Sequence, residues 1–148
     1  MSKRTLVPPI AVLLACLVLA AGPGTAKEES RLTLFGFEKG FDTAEVKKKD
    51  ADVELKDGAL VVHYGHENRW PTVTFSIPEE HQDLSTYQAI RVDVTNLGDK
   101  MAKVFCRVDS PGGDGSNKSV TENRPVPPGE EVTIQVDLPH PDVITGPE

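Results

Sequence analysis

The stretch HYGHENRWP, residues 63–71, gathers the densest set of polar and aromatic side chains in the chain. His66, Glu67, Asn68 and Arg69 are planar or charged hydrogen-bonding groups, and Tyr64 and Trp70 flank them. An aromatic face packs against the apolar C–H side of a sugar ring, and planar polar groups pair with its hydroxyls. Tyr64, His66, Asn68, Arg69 and Trp70 are therefore the candidate contacts for a neutral sugar. The competing assignment puts Trp70 at one edge of a core and leaves Arg69 merely solvated. Aromatic residues make up only 5% of the chain, so a broad stacking surface is not available.

Other chemistries find less support. The sequence holds no Gly-x-Ser-x-Gly elbow, no phosphate loop and no dinucleotide fingerprint. His63 and His66 are three apart, and strand residues three apart point to opposite faces, so a shared zinc requires a curled loop. Glu38, Asp42 and Asp137 are the carboxylates best placed for a structural calcium at strand ends. Hydrolysis of a glycoside needs two carboxylates at a set separation, and nothing in the sequence selects such a pair. Cys106 alternates with Val104 and Val108, which reads as a small buried apolar residue rather than a nucleophile.

The elements that must position these groups are strands. Val73, Phe75 and Ile77 alternate with Thr72, Thr74 and Ser76. Ile90, Val92 and Val94 alternate with Arg91, Asp93 and Thr95, and Val132, Ile134 and Val136 with Thr133, Gln135 and Asp137. Period two with one apolar face predicts half-buried antiparallel strands. The expected strands are 33–38, 51–56, 59–64, 72–77, 89–96, 103–109, 119–124 and 132–138. Residues 44–49 come nearest to a helical window and lack an apolar face. Asp57-Gly58 between alternating runs predicts a two-residue hairpin loop. That loop sets Leu55 opposite Leu60, Val53 opposite Val62, and Asp52 opposite His63. Short strands with Gly- and Pro-rich connections predict an all-β fold, a two-sheet antiparallel β-sandwich of jelly-roll type.

The ends read differently from the middle. Lys3 and Arg4, a largely apolar run from Leu6 to Ala21, and Gly24-Thr25-Ala26 form the pattern of an export signal peptide over residues 1–26. A lipid anchor at Cys16 is the alternative. Residues 27–138 make the sandwich, and the proline-rich 139–148 read as a linker toward a further domain. The chain of 148 residues carries a net charge of −7. Loss of the leader removes two basic and no acidic residues, so the exported form is more acidic still. Such a surface repels phosphate backbones and excludes nucleic acid as a partner. The one cysteine left after cleavage, Cys106, forms no internal disulfide.

LTLFGFEKGFD (residues 32–42), KDGALVVHYGHENRWPTVTF, LSTYQAIRVDVTNLGDKMAKVFCRVDSPG and RPVPPGEEVTIQVDLP together resemble a known family. The run is similar to the amino-terminal, galactose-binding-like module of secreted β-agarases of glycoside hydrolase family 50. The resemblance implies a non-catalytic jelly roll ahead of a (β/α)₈ barrel that cleaves agarose. The catalytic glutamates of that family lie on the barrel, so none is carried over to this stretch. The implied partners are agarose or a related galactan and the downstream barrel. The alternative is a structural sandwich that packs on a catalytic domain or partner without binding sugar.

Overall fold

The computed structural model describes residues 10–20 and 31–139. Among the described residues there are nine strands: β1 (Ile10–Ala20), β2 (Lys47–Lys49), β3 (Ala51–Lys56), β4 (Ala59–Tyr64), β5 (Thr72–Thr74), β6 (Ala89–Asn96), β7 (Ala102–Asp109), β8 (Ser119–Val126) and β9 (Glu131–Asp137). They form a five-stranded sheet in the order β3-β4-β1-β6-β9 and two pairs, β2-β5 and β7-β8. Each pairing is antiparallel. Among the described residues helical structure is confined to two short 3-10 turns, Thr43–Glu45 and Glu79–His81. The chain is all-β and antiparallel, as the alternation predicts.

The β3–β4 hairpin has the expected register, with Leu55 opposite Leu60, Val53 opposite Val62 and Asp52 opposite His63. Asp57 and Gly58 both take positive φ, 52° and 78°. That is the primed two-residue turn, whose twist matches the strands it joins. Leu60 and Val62 are fully buried, and Val53, Leu55 and Tyr64 pack around them.

Three elements depart from the sequence pattern. Residues 33–38 do not form a strand; only Thr33 makes a bridge. Leu34 and Phe37 are both buried although three apart. Leu34 packs beside Ile90 and Phe37 beside Leu60 and Val62, so side chains rather than a ladder hold this segment. β5 stops at Thr74, and Phe75 and Ile77 reach the core from irregular chain. Lys47–Lys49, without any apolar alternation, pairs with Thr72–Thr74. A short lysine strand of this kind suits a sheet margin, where charge discourages further pairing.

β1 occupies the middle of the five-stranded sheet, between β4 and β6. The sequence reading sets this run aside as an export leader. A continuous aliphatic run also suits a strand flanked on both sides, and periodicity does not separate the two uses. The small residues at 24–26 and the tail 140–148 lie outside the described residues.

The core falls into three clusters. Val92, Val94 and Ile134 of β6–β9 pack against Val126, Val104 and Cys106 of β7–β8. Leu34 and Ile90 collect Ile77, Leu84 and Tyr87. Phe37, Leu60 and Val62 collect Phe35, Phe41 and Phe75. In the last cluster the Phe37 and Phe41 rings meet edge to face at 5.1 Å, and Phe35 and Phe75 lie 5.2 Å apart.

Burial pushes the Tyr64 hydroxyl up from 10.0 to about 12 and the Cys106 thiol up from 9.0 to about 11. Both groups stay protonated in the fold at a pH where the unfolded chain has lost those protons. Stability is therefore full below pH 9 and falls as pH rises from 9 to 12. Two pH units are worth about 3 kcal/mol per group at most. Urea melts of wild type and of a Tyr64→Phe, Cys106→Ala variant across this range should diverge. The variant should show the flatter profile, and parallel profiles would contradict these burials.

Candidate functional site

The loop between β4 and β5, residues 65–71, is held from beneath by Asp50. This residue sits between β2 and β3 with a positive φ of 50°. Its carbonyl accepts from the Gly65 amide at 2.8 Å. Its carboxylate Oδ2 accepts from the Asn68 amide at 2.8 Å. Gly65 leaves the room for this, since a Cβ there would fall 1.9 Å from Asp50 Oδ1. With both ends of the turn anchored, the next residues are presented outward.

Trp70 is 56% exposed. Its ring meets Phe105 edge to face, with centroids 5.5 Å apart at 88°. The Arg69 guanidinium carbon lies 5.6 Å from the Trp70 ring centre, and Lys103 Nζ lies 5.2 Å from that of Phe105. Edge-to-face pairing and a cation over each ring stiffen both aromatics while leaving them in water. Phe105 is itself 44% exposed, on the outer face of β7. The assignment of Trp70 to a core edge does not hold.

The five candidate sugar contacts separate accordingly. His66, Asn68, Arg69 and Trp70 are exposed in the loop. Tyr64 turns the other way and packs into two core clusters. Its role is packing, because β4 continues its alternation through position 64. His63, on the opposite face, pairs with Glu54 at 3.2 Å. Phe105 stands outside the sequence-derived candidates. A signal for it exists: when Val104, Cys106 and Val108 face inward, an aromatic at 105 must face out.

A concavity of about 650 Å³ lies on the polar side of β6–β9. Arg91 and Asp93 of β6, Thr133, Gln135 and Asp137 of β9, and Glu122 and Arg124 of β8 line it. Arg91 Nε donates to Gln135 at 2.8 Å, Gln135 Nε2 to Asp137 at 2.7 Å, and Thr133 Oγ1 to Asp93 at 2.5 Å. This cleft offers planar polar groups without an aromatic lining, so it lacks the stacking half of a sugar site.

The three carboxylates weighed for calcium sit in different surroundings. Asp42 Oδ1 accepts from the Ala44 amide at 2.8 Å and caps a 3-10 turn. Glu38 precedes that turn, its carbonyl accepting from Phe41 at 3.1 Å. Asp137 accepts from Gln135 in the polar cleft. Among the described residues no three His, Cys, Asp or Glu side chains converge as a metal would require. No family model, curated protein or solved structure matches the chain.

Proposed function

We propose that this chain is a secreted, non-catalytic carbohydrate-binding module. In this reading its sheets form a jelly-roll sandwich, and it leads an agarase-type hydrolase acting on agarose or a related galactan. The leader directs export and is removed. The module then holds its catalytic barrel near the polymer, with Trp70 and Phe105 meeting the apolar side of the sugar. His66, Asn68 and Arg69 supply hydrogen bonds to hydroxyls. The observation that carries the reading is the exposed Trp70 ring, fixed by Phe105 and Arg69 rather than buried.

Affinity electrophoresis through agarose tests it on the exported chain. Wild type should be retarded, and Trp70→Ala should weaken retention about tenfold, or about 1.4 kcal/mol. Melting should stay within about 0.5 kcal/mol of wild type, as for other exposed positions. No retardation of wild type by agarose or any neutral galactan would reject the reading.

Exposed apolar groups support a second reading. Met101 is 59% exposed and Leu97 50% exposed, both in the connection between β6 and β7. Trp70 and Phe105, exposed and in contact, suit a protein interface as well, in which the module packs on its catalytic domain. Loss of that contact, rather than of sugar retention, in Trp70→Ala would favour this second reading.

A further inference from the structure

Val104 and Cys106 pack against the core, so the alternate side chains of β7 stand on its outer face. Lys103, Phe105 and Arg107 occupy that face, registered with Pro125, Asn123 and Thr121 of β8. Residues opposite one another in an antiparallel pair share a face. These three pairs therefore present two cations, one aromatic ring and no carboxylate. Acids outnumber Lys and Arg 23 to 16 along the chain, so this face runs against its composition. The first acid, Asp109, comes one pair further on, opposite Ser119. It accepts both Arg107 bonds, from Nε at 3.1 Å and from Nη2 at 2.9 Å. Arg107 is thereby neutralised, and Lys103 keeps its charge.

The loop at 65–71 adds a second cation to the same face, because Trp70 meets Phe105 there. Arg69 lies over the Trp70 ring and Lys103 over the Phe105 ring. Among the described residues neither cation has a carboxylate at ion-pair distance. Asp50, beneath the loop, is engaged by the Asn68 amide, and Glu67 is the one carboxylate of the loop itself. A cation over a ring covers part of the apolar surface that a neutral sugar uses for stacking. The same cation serves a sugar that carries an anion. Ring contact and ion pairing then come from adjacent groups.

We propose that the ligand of the Trp70–Phe105 face is a sulfated galactan. Its sulfate esters pair with Arg69 and Lys103, and its C–H surfaces meet the two rings. The inference rests on the sugar-binding reading above and specifies its ligand. A sulfate offers oxygens to the planar fork of Arg69 and to the point charge of Lys103. At long range a chain of net charge −7 repels a polyanion. In about 0.15 M salt, charges beyond roughly 8 Å are screened, while the two cations act at contact. A preference for sulfate at that salt therefore reports these residues.

Trp70 is the only tryptophan, so its fluorescence reads the site directly. The exported chain is titrated with κ-carrageenan, a sulfated galactan, and with the same polymer after chemical desulfation. In about 0.15 M salt the sulfated polymer should half-saturate at about fivefold lower concentration. That preference should fade as salt rises. Lys103→Gln should cut it to about twofold, and Lys103→Arg should keep it. Equal affinity for the two polymers would overturn the inference and leave the sugar reading standing. So would a preference untouched by salt or by Lys103→Gln. Dextran sulfate binding as tightly as κ-carrageenan would reduce the contact to charge alone and overturn the galactan assignment. Retention in gels without a Trp70 response would place the ligand elsewhere and overturn it too. Neither response nor retention with either polymer would reject the sugar reading as well.

Discussion

Replacing Asn96 by leucine should destabilise the fold by about 3 kcal/mol, the largest loss expected from any single polar residue here. Asn96 is fully buried at the end of β6. Its Nδ2 donates to the carbonyls of Lys100 at 2.7 Å and Val126 at 2.8 Å. Its Oδ1 accepts from the Gly98 amide at 2.9 Å. Its main chain accepts from Gly129 and donates to Glu130, closing the turn between β8 and β9. One side chain therefore ties the β6–β7 connection to the end of β8. Leucine keeps the same branched skeleton with bulkier methyl ends, so it leaves no cavity. It does strand two carbonyls and an amide, each worth about 1 kcal/mol or more when buried. Urea unfolding should show the loss, and the melting temperature should drop by roughly 10 °C. Asn96→Asp should be at least as harmful, because it buries a charge beside two carbonyl oxygens. A loss below about 1 kcal/mol in Asn96→Leu would mean that water replaces these bonds.

The parts of this fold legible in the sequence are those with a strong local signal, and the firmest is where two such signals agree. At the β3–β4 hairpin, Asp57-Gly58 demands a primed turn, and the flanking alternation demands the same register. β6 and β9 follow from period two alone, because one face of each is buried. The illegible parts lack such agreement. Leu34 and Phe37 dip into different clusters across Gly36, so their three-residue spacing, which a helix face would share, marks neither a helix nor a strand here. Lys47–Lys49 pairs without burying anything, which leaves no pattern to read. Ile10–Ala20 is apolar throughout and so fits a leader and a middle strand equally.

The candidate site divides along the same line. The loop at 65–71 announces itself by composition, yet Trp70 could be core or surface on sequence grounds alone. What decides it is Phe105, thirty-five positions away and on another sheet. Such long-range pairing leaves no local trace. Tyr64 shows the converse: its neighbours suggest a binding loop, but it is still the last inward position of β4. Asp50 was illegible for a different reason. A non-glycine residue at positive φ is uncommon, and its use as a clamp depends on a missing side chain at position 65.

That clamp carries the second large effect. Gly65→Ala should lower stability by about 2 kcal/mol and, on the proposed sugar-binding reading, weaken agarose retention about tenfold or more from a position that reading leaves out of the contact set. The new Cβ would stand 1.9 Å from Asp50 Oδ1 and 2.6 Å from Asp50 Cγ, so the carboxylate must leave. Its departure frees the Asn68 amide, and a bond to an ionised acceptor is worth about 1.5 kcal/mol or more. The loop then loses the anchor nearest Trp70, and ordering that loop adds to the cost of every binding event. Adding Asp50→Gly to Gly65→Ala separates the two effects. Glycine accepts the positive φ at position 50 and removes the clash, so the part of the melting loss that comes from the clash should recover. The Asn68 amide still lacks its acceptor, so retention should remain weak. Recovery of both properties together would mean that the loop folds correctly without Asp50. Unchanged retention in Gly65→Ala would mean that the Trp70–Phe105 contact alone is enough to present the ring.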